Sequence, residues 1–231
     1  MRKFILFILC LSCIPAFAQD GLFLQPTIGI GVGKVKYSED APFPIKFTLI
    51  PSVQIGIGYQ FSHVVLSTGL GYMQTGFAQK ITYTDYVGNV VGTGYLNLHY
   101  NHLVVPVTVG YKLNGGKKFS VTPVIGTEIT YNISGREVTS GYGPKQNTKI
   151  PNDQFKKGIE PISVFGLIQL NLDFLIADRL SIVCTPKFDY MVTNMLKDSP
   201  HIAQHCYTFL LNAGIKWSLA KSPKTGDKSH K

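Results

Sequence analysis

From about residue 22 onward, hydrophobic and polar positions alternate in steps of two and do not recur every three or four. That is the period of a β-strand, whose successive side chains point to opposite faces. The alternation runs through eight stretches, near residues 22–34, 47–61, 64–77, 97–113, 118–132, 162–175, 180–192 and 206–219. Each is long enough for the roughly 9 to 11 residues of a tilted membrane strand. In the second stretch Leu49, Val53, Ile55, Ile57, Tyr59 and Phe61 share one face, against Ser52, Gln54, Gly56, Gly58 and Gln60. In the eighth, Tyr207, Phe209, Leu211, Ala213, Ile215, Trp217 and Leu219 oppose Thr208, Asn212, Gly214, Lys216 and Ser218. One face is apolar, the other small and polar.

Alternation alone would also suit a soluble β-sandwich. The aromatic residues of the apolar face separate the two readings, because they gather at its edges. Tyr59, Phe61, Tyr111, Phe119, Phe174 and Trp217 fall at one edge, and Tyr72, Tyr131, Tyr190 and Tyr207 at the other. Paired aromatic girdles around an apolar band belong to membrane barrels. The connections alternate as well. Those at 61–63, 114–117 ("NGGK") and 176–179 ("IADR") are short, whereas those at 35–46, 78–96, 133–161 and 193–205 are long. The expected fold is all-β: an eight-stranded, antiparallel, up-and-down transmembrane β-barrel over residues 19–219. An even strand count with short periplasmic turns puts both termini in the periplasm.

The chain begins with Met1-Arg2-Lys3, an apolar run from Phe4 to Ile14, and Pro15-Ala16-Phe17-Ala18. A basic start, a short apolar core and an A-x-A site describe a cleaved export signal over residues 1–18. The run is shorter than the ~20 residues of a spanning helix. Lipidation at Cys13 is the lesser alternative, since Cys10 stands where a leucine is usual. Of the four cysteines, cleavage leaves Cys184 and Cys206. Antiparallel pairing sets these several residues out of register, too far apart for the ~7 Å Cα separation of a disulfide, so two free thiols are expected. The formal charge of +9 falls to +7 without Arg2 and Lys3. Part of the remainder lies in a basic tail, residues 220–231, where Lys221, Lys224, Lys228 and Lys231 face only Asp227. No motif in the barrel region points to nucleic acid.

The segments "YQFSHVVLSTGLGYMQTGF", "HLVVPVTVGYKLNGGKKFSVTPVIGTEITY" and "LSIVCTPKFDYMVTN" resemble the PorT-like outer-membrane β-barrel family of Bacteroidetes. The shared features are a Gly-rich third strand, a Pro-bearing fourth strand with Tyr-Lys before its turn, and a strand with a Gly-plus-Tyr ending. The resemblance covers about residues 22–219. It implies a fold and an outer-membrane location, and for some members a part in protein secretion, with no catalytic residue to carry over.

Candidate chemistry is sparse. His201 and His205 stand four apart with Asp198 near them, but a defined metal site needs three or four ligands, so these are expected to be ordinary loop residues. An outer-rim hydrolase would have to use His99, His102, Asp85 and Asp198. The alternation sets His99 and His102 on opposite faces, and no nucleophile elbow accompanies them. Neither a catalytic site nor a cofactor is expected. Arg136, Lys145, Lys149, Lys156 and Lys157 outnumber Glu137, Asp153 and Glu160 in the 133–161 connection, which offers phosphates of lipopolysaccharide a basic partner.

The polar face carries charges of its own. Lys112, Asp173 and Lys216 lie close to the short turns, and Glu128, Lys187 and Asp189 lie farther along. An eight-stranded barrel is just wide enough for side chains to fill, so these six residues are expected to pair as a lumen charge network, Asp173 with Lys112 or Lys216 and Glu128 with Lys187. The expected role is structural or interactive, in a non-conducting outer-membrane barrel that meets lipid, lipopolysaccharide and protein partners through its outer loops or tail. An accessory subunit of a secretion system is the alternative; a conducting channel and a surface enzyme are further classes.

Overall fold

The computed structural model describes residues 21–37, 45–114, 118–141, 146–197 and 204–219. The proposed signal peptide, the basic tail, Lys145, Asp198 and His201 lie outside the described residues. Eight long strands dominate: β1 Gly21–Tyr37, β2 Thr48–Phe61, β3 Val64–Thr84, β4 Val90–Tyr111, β5 Phe119–Ser140, β6 Ile162–Ala177, β7 Leu180–Met191 and β8 Gln204–Ser218. Each pairs antiparallel with its sequence neighbours. β1 also pairs with β8, from Phe23 opposite Ser218 to Tyr37 opposite Gln204. That last ladder closes the ring into an up-and-down barrel with no free sheet edge over its shared height, the one β architecture that satisfies every backbone group inside a bilayer.

The outer surface carries the residues that the alternation places there. Ile28, Leu49, Ile55, Leu70, Ile125, Ile168 and Leu211 are all more than half exposed. An apolar band of this extent, continued around the ring, far exceeds the few hundred Å² a soluble monomer exposes, so the solvent of this face is lipid. Aromatic residues rim the band: Phe119 packs on Phe174 with ring centroids 4.8 Å apart, and Trp217 and Tyr111 are exposed beside them on the same edge.

The structure corrects the element boundaries on one side of the barrel. Residues 78–96 and 133–140, expected as loop, are mostly strand: β3 and β4 continue to a short turn at Asp85–Asn89, and β5 runs to Ser140. Gln146–Lys149 adds a further strand to the upper edge of β5, and Ile45–Lys46 pairs with β3. Together these form a wall that rises past the aromatic rim. The apolar-polar contrast fades there because both faces meet water. A helix, α1, spans Asn152–Gly158 and is too short to show a 3.6-residue period.

Cys184 lies opposite Ala213 in the β7–β8 ladder, seven positions from Cys206, and both thiols are free.

Candidate functional site

The lumen is filled in layers, and each layer follows from the strand parity that turns even-numbered residues of β5 and β8, and odd-numbered residues of β6 and β7, inward. Nearest the short turns, Lys216 Nζ lies 2.8 Å from Asp173 Oδ2 and 4.4 Å from the centroid of the Phe23 ring. Of the two lysines considered for Asp173, it is Lys216 that bonds it, while Lys112 Nζ donates to Gln60 Oε1 at 3.3 Å. Above this pair lies a band of neutral groups: Asn212 accepts from Ser52 Oγ at 2.9 Å, and Asn171 from Thr185 Oγ1 at 3.0 Å. The band encloses a cavity of about 40 Å³.

Midway up, Lys187 Nζ stands 2.5 Å from Glu128 Oε1 and 3.2 Å from Asp189 Oδ2. Asp189 also accepts from Thr208 Oγ1 at 3.0 Å. All four residues are buried. Such a cluster holds only because the opposite charges meet each other, since an isolated buried ion is costly.

The next layer centres on His102, fully buried, whose Nε2 is 2.6 Å from Thr75 Oγ1 and whose Nδ1 bonds Asn132 Oδ1. Asn132 in turn donates to Ser163 Oγ and to the Glu160 carbonyl. Above it, an apolar layer that includes Val35, Ile50, Met73, Phe77, Tyr100 and Phe165 seals the mouth. α1 drops Phe155 into this layer against Tyr100. Gly135 makes room for it, because a Cβ there would meet Ile150 Cδ1 at 2.7 Å and the Phe155 ring at 3.0 Å. The two long connections that cover the mouth are tied together: Glu160 N donates to Met195 O at 3.0 Å, Lys197 N to Gly158 O at 3.0 Å, and Ile159 bridges Leu196. The signal for this lid in the residues is faint, a pair of apolar side chains, Phe155 and Ile159, spaced four apart within a polar stretch.

The other singled-out residues do not converge. Asp85 closes the β3–β4 turn, accepting from the Val87 and Asn89 amides at 2.9 and 2.8 Å. His205 Nδ1 lies 3.1 Å from the Met191 carbonyl, with its ring stacked on Tyr190. His99 and His102 fall on opposite faces of β4, as their bonding and pairing partners require. Among the described residues no three His, Cys, Asp or Glu side chains gather as a metal site.

A closed antiparallel ring of eight strands, apolar outside and filled inside, defines a transmembrane β-barrel of the small class. No family model matches the chain, and no curated protein does, so the finer resemblance to the PorT-like family has no support at the family level. Solved structures of small outer-membrane barrels do align. They include Neisserial surface protein A (10% identity, 86% of this chain and 97% of that chain, TM-score 0.43) and OprG of Pseudomonas aeruginosa (8% identity, 88% and 97%, TM-score 0.45). Ail, the attachment invasion locus protein of Yersinia pestis, aligns at 12% identity over 86% and 99%, with a TM-score of 0.37. The fold assignment here stands on the closed ladder and the apolar exterior.

Proposed function

We propose that the chain is an outer-membrane barrel that works through its outer surfaces, as a structural or interaction protein, and carries no solute through its lumen. The observation that supports this reading is the filling of the lumen from end to end: two ionic layers, a hydrogen-bonded layer and an apolar lid follow one another along the axis. Eight strands leave an interior that side chains alone occupy, and the 40 Å³ cavity has room for about one ordered water. The long connections and the tall β3–β5 wall then face outward, with the short turns and both termini in the periplasm, as their alternation suggests. Neither catalysis nor a cofactor has a part in this reading.

The experiment is photo-crosslinking in intact envelopes from a benzophenone residue placed at Tyr86 or Val87, which are exposed at the tip of the wall, followed by sucrose-gradient fractionation. The barrel is expected in the outer-membrane fraction with a specific crosslinked protein or lipid. Recovery in the inner membrane would defeat the reading. The alternative, a secretion accessory, rests on the resemblance of the strand segments to the PorT-like family alone, and loss of secreted enzymes on deletion would select it.

A further inference from the structure

The wall above the aromatic rim presents a cationic face to the outside, and a bulge creates it. In the β4–β5 ladder Asn101 pairs with Ser134 and His102 with Asn132, leaving Ile133 as an extra residue. A bulge of this kind shifts the parity of its strand by one. Below it odd-numbered residues of β5 face outward; above it even-numbered ones do. Arg136 therefore comes to the outer face instead of the lumen. The register sets His99 opposite Arg136 and Arg136 opposite Lys149. Directly paired residues share a face, so an imidazole, a guanidinium and an ammonium stand in one row across three neighbouring strands. The adjoining row holds Asn97, Val138 and Asn147 by the same pairings. Among the described residues of this face there is no Asp or Glu, since Glu137 pairs with Leu98 and Thr148 on the other side.

The arrangement is a site and not only a charged surface. Asn97, His99, Arg136, Val138, Ser140 and Asn147 line a cavity of about 370 Å³, and His99 Nδ1 is buried there with no hydrogen-bond partner. Among the described residues the two cations stand side by side without a counter-ion, next to Asn147, an unfilled imidazole nitrogen and Asn97, one of whose two amide hydrogens goes to the Val138 carbonyl at 3.3 Å, an arrangement that calls for a multivalent anion. Lys46 and Lys80 extend the same face at its far end, around Tyr95.

Height along the barrel identifies the source of the anion. Arg136 and His99 pair at the level of Gly76, four residues beyond the rim residue Tyr72 on β3. At ~3.3 Å per residue and a tilt of ~35–45°, the row stands on the order of 10 Å above the aromatic rim, in the headgroup layer that flanks the hydrocarbon. We infer that His99, Arg136 and Lys149, with the amides of Asn97 and Asn147, bind a phosphate group of lipopolysaccharide in the surrounding leaflet. This rests on the outer-membrane reading above.

The test is native mass spectrometry of the full-length barrel in detergent, titrated with diphosphoryl lipid A and, separately, with inorganic phosphate. The wild type is expected to retain one lipid A. The Arg136→Gln/Lys149→Gln variant should bind it about tenfold or more weakly, the equivalent of one charge-assisted hydrogen bond. Lys118→Gln, an exposed lysine beside the short 114–117 turn at the opposite end of the barrel, should leave binding unchanged, and an unaltered heat-modifiable shift in gel mobility reports that each variant is folded. Equal retention by the folded double variant would overturn the inference, as would inorganic phosphate binding as tightly as lipid A, which would assign the site to a soluble anion. Fractionation separates the two failures: a barrel found in the outer membrane without lipid A selectivity sinks this inference alone, whereas one found elsewhere sinks the reading it rests on.

Discussion

Asp173 and Leu211 show how one strand-borne residue is held by its side of the wall. Asp173 is buried and paired to Lys216 at 2.8 Å. Removing one member of such a pair leaves an uncompensated charge, which costs on the order of 3–5 kcal/mol, while replacing both by apolar groups is often near neutral. In urea titrations of the refolded barrel, Asp173→Ala should therefore lose more stability than Asp173→Ala/Lys216→Met, and additive losses would show that water screens the two charges separately. On the other side of the same wall Leu211 faces lipid. Leu211→Arg should cost roughly 2–4 kcal/mol if the site lies near the bilayer midplane, and lower the folded yield, whereas Asn212→Ser, one position along and inward, should cost much less. Equal damage from the two would reverse the face assignment.

At the scale of elements, the β3–β4 hairpin shows what the sequence displays and what it hides. Within the bilayer, lipid outside and packed polar groups inside force a period of two, so all eight strands, their faces and the two free cysteines can be read from the residues. Beyond the rim that contrast disappears, and Lys80 to Thr84 and Val90 to Leu96 look like loop although they form a ladder. The bulge at Ile133 and the docking of Phe155 are equally hidden, since both depend on pairing between distant segments. Five of the inward charges meet in acid–base contacts while Lys112 bonds the neutral Gln60, since which lysine meets Asp173 depends on side-chain reach across the lumen. The hairpin tip itself is fastened by Asp85, whose carboxylate accepts from the Asn89 backbone and side chain and is thereby held below its ordinary pKa of 3.8. Its contribution to the turn is complete above that value and is lost as pH falls through the lower folded one. Amide exchange at Val87 and Asn89 should hence be steady from pH 7 to 5, after correction for intrinsic rates, and lose protection only in stronger acid. Asp85→Ala should remove both the protection and its pH dependence, and a loss already centred near pH 6 would point to another group.

For the whole molecule the proposed non-conducting lumen rests on two separate fillings. The lid and the ionic layers occupy different heights and are held by different forces, the lid by apolar packing around Phe155 and the layers by the Glu128–Lys187–Asp189 and Asp173–Lys216 contacts. Loosening the lid alone should thus leave the lumen shut. Phe155→Ala removes a buried ring, and truncations of this kind cost about 3–5 kcal/mol in a well-packed core. Here the loss should appear as protease sensitivity of residues 150–161, with the barrel still intact. In a planar bilayer the purified wild type and Phe155→Ala are both expected to show no stable conductance. Combining Phe155→Ala with Glu128→Ala/Lys187→Ala/Asp189→Ala clears side chains from two levels, and any leak should appear first in this quadruple variant. A steady open channel in the wild type would remove the premise that the protein acts by its surfaces, and one in Phe155→Ala would make the lid the sole gate and the charged layers water-filled.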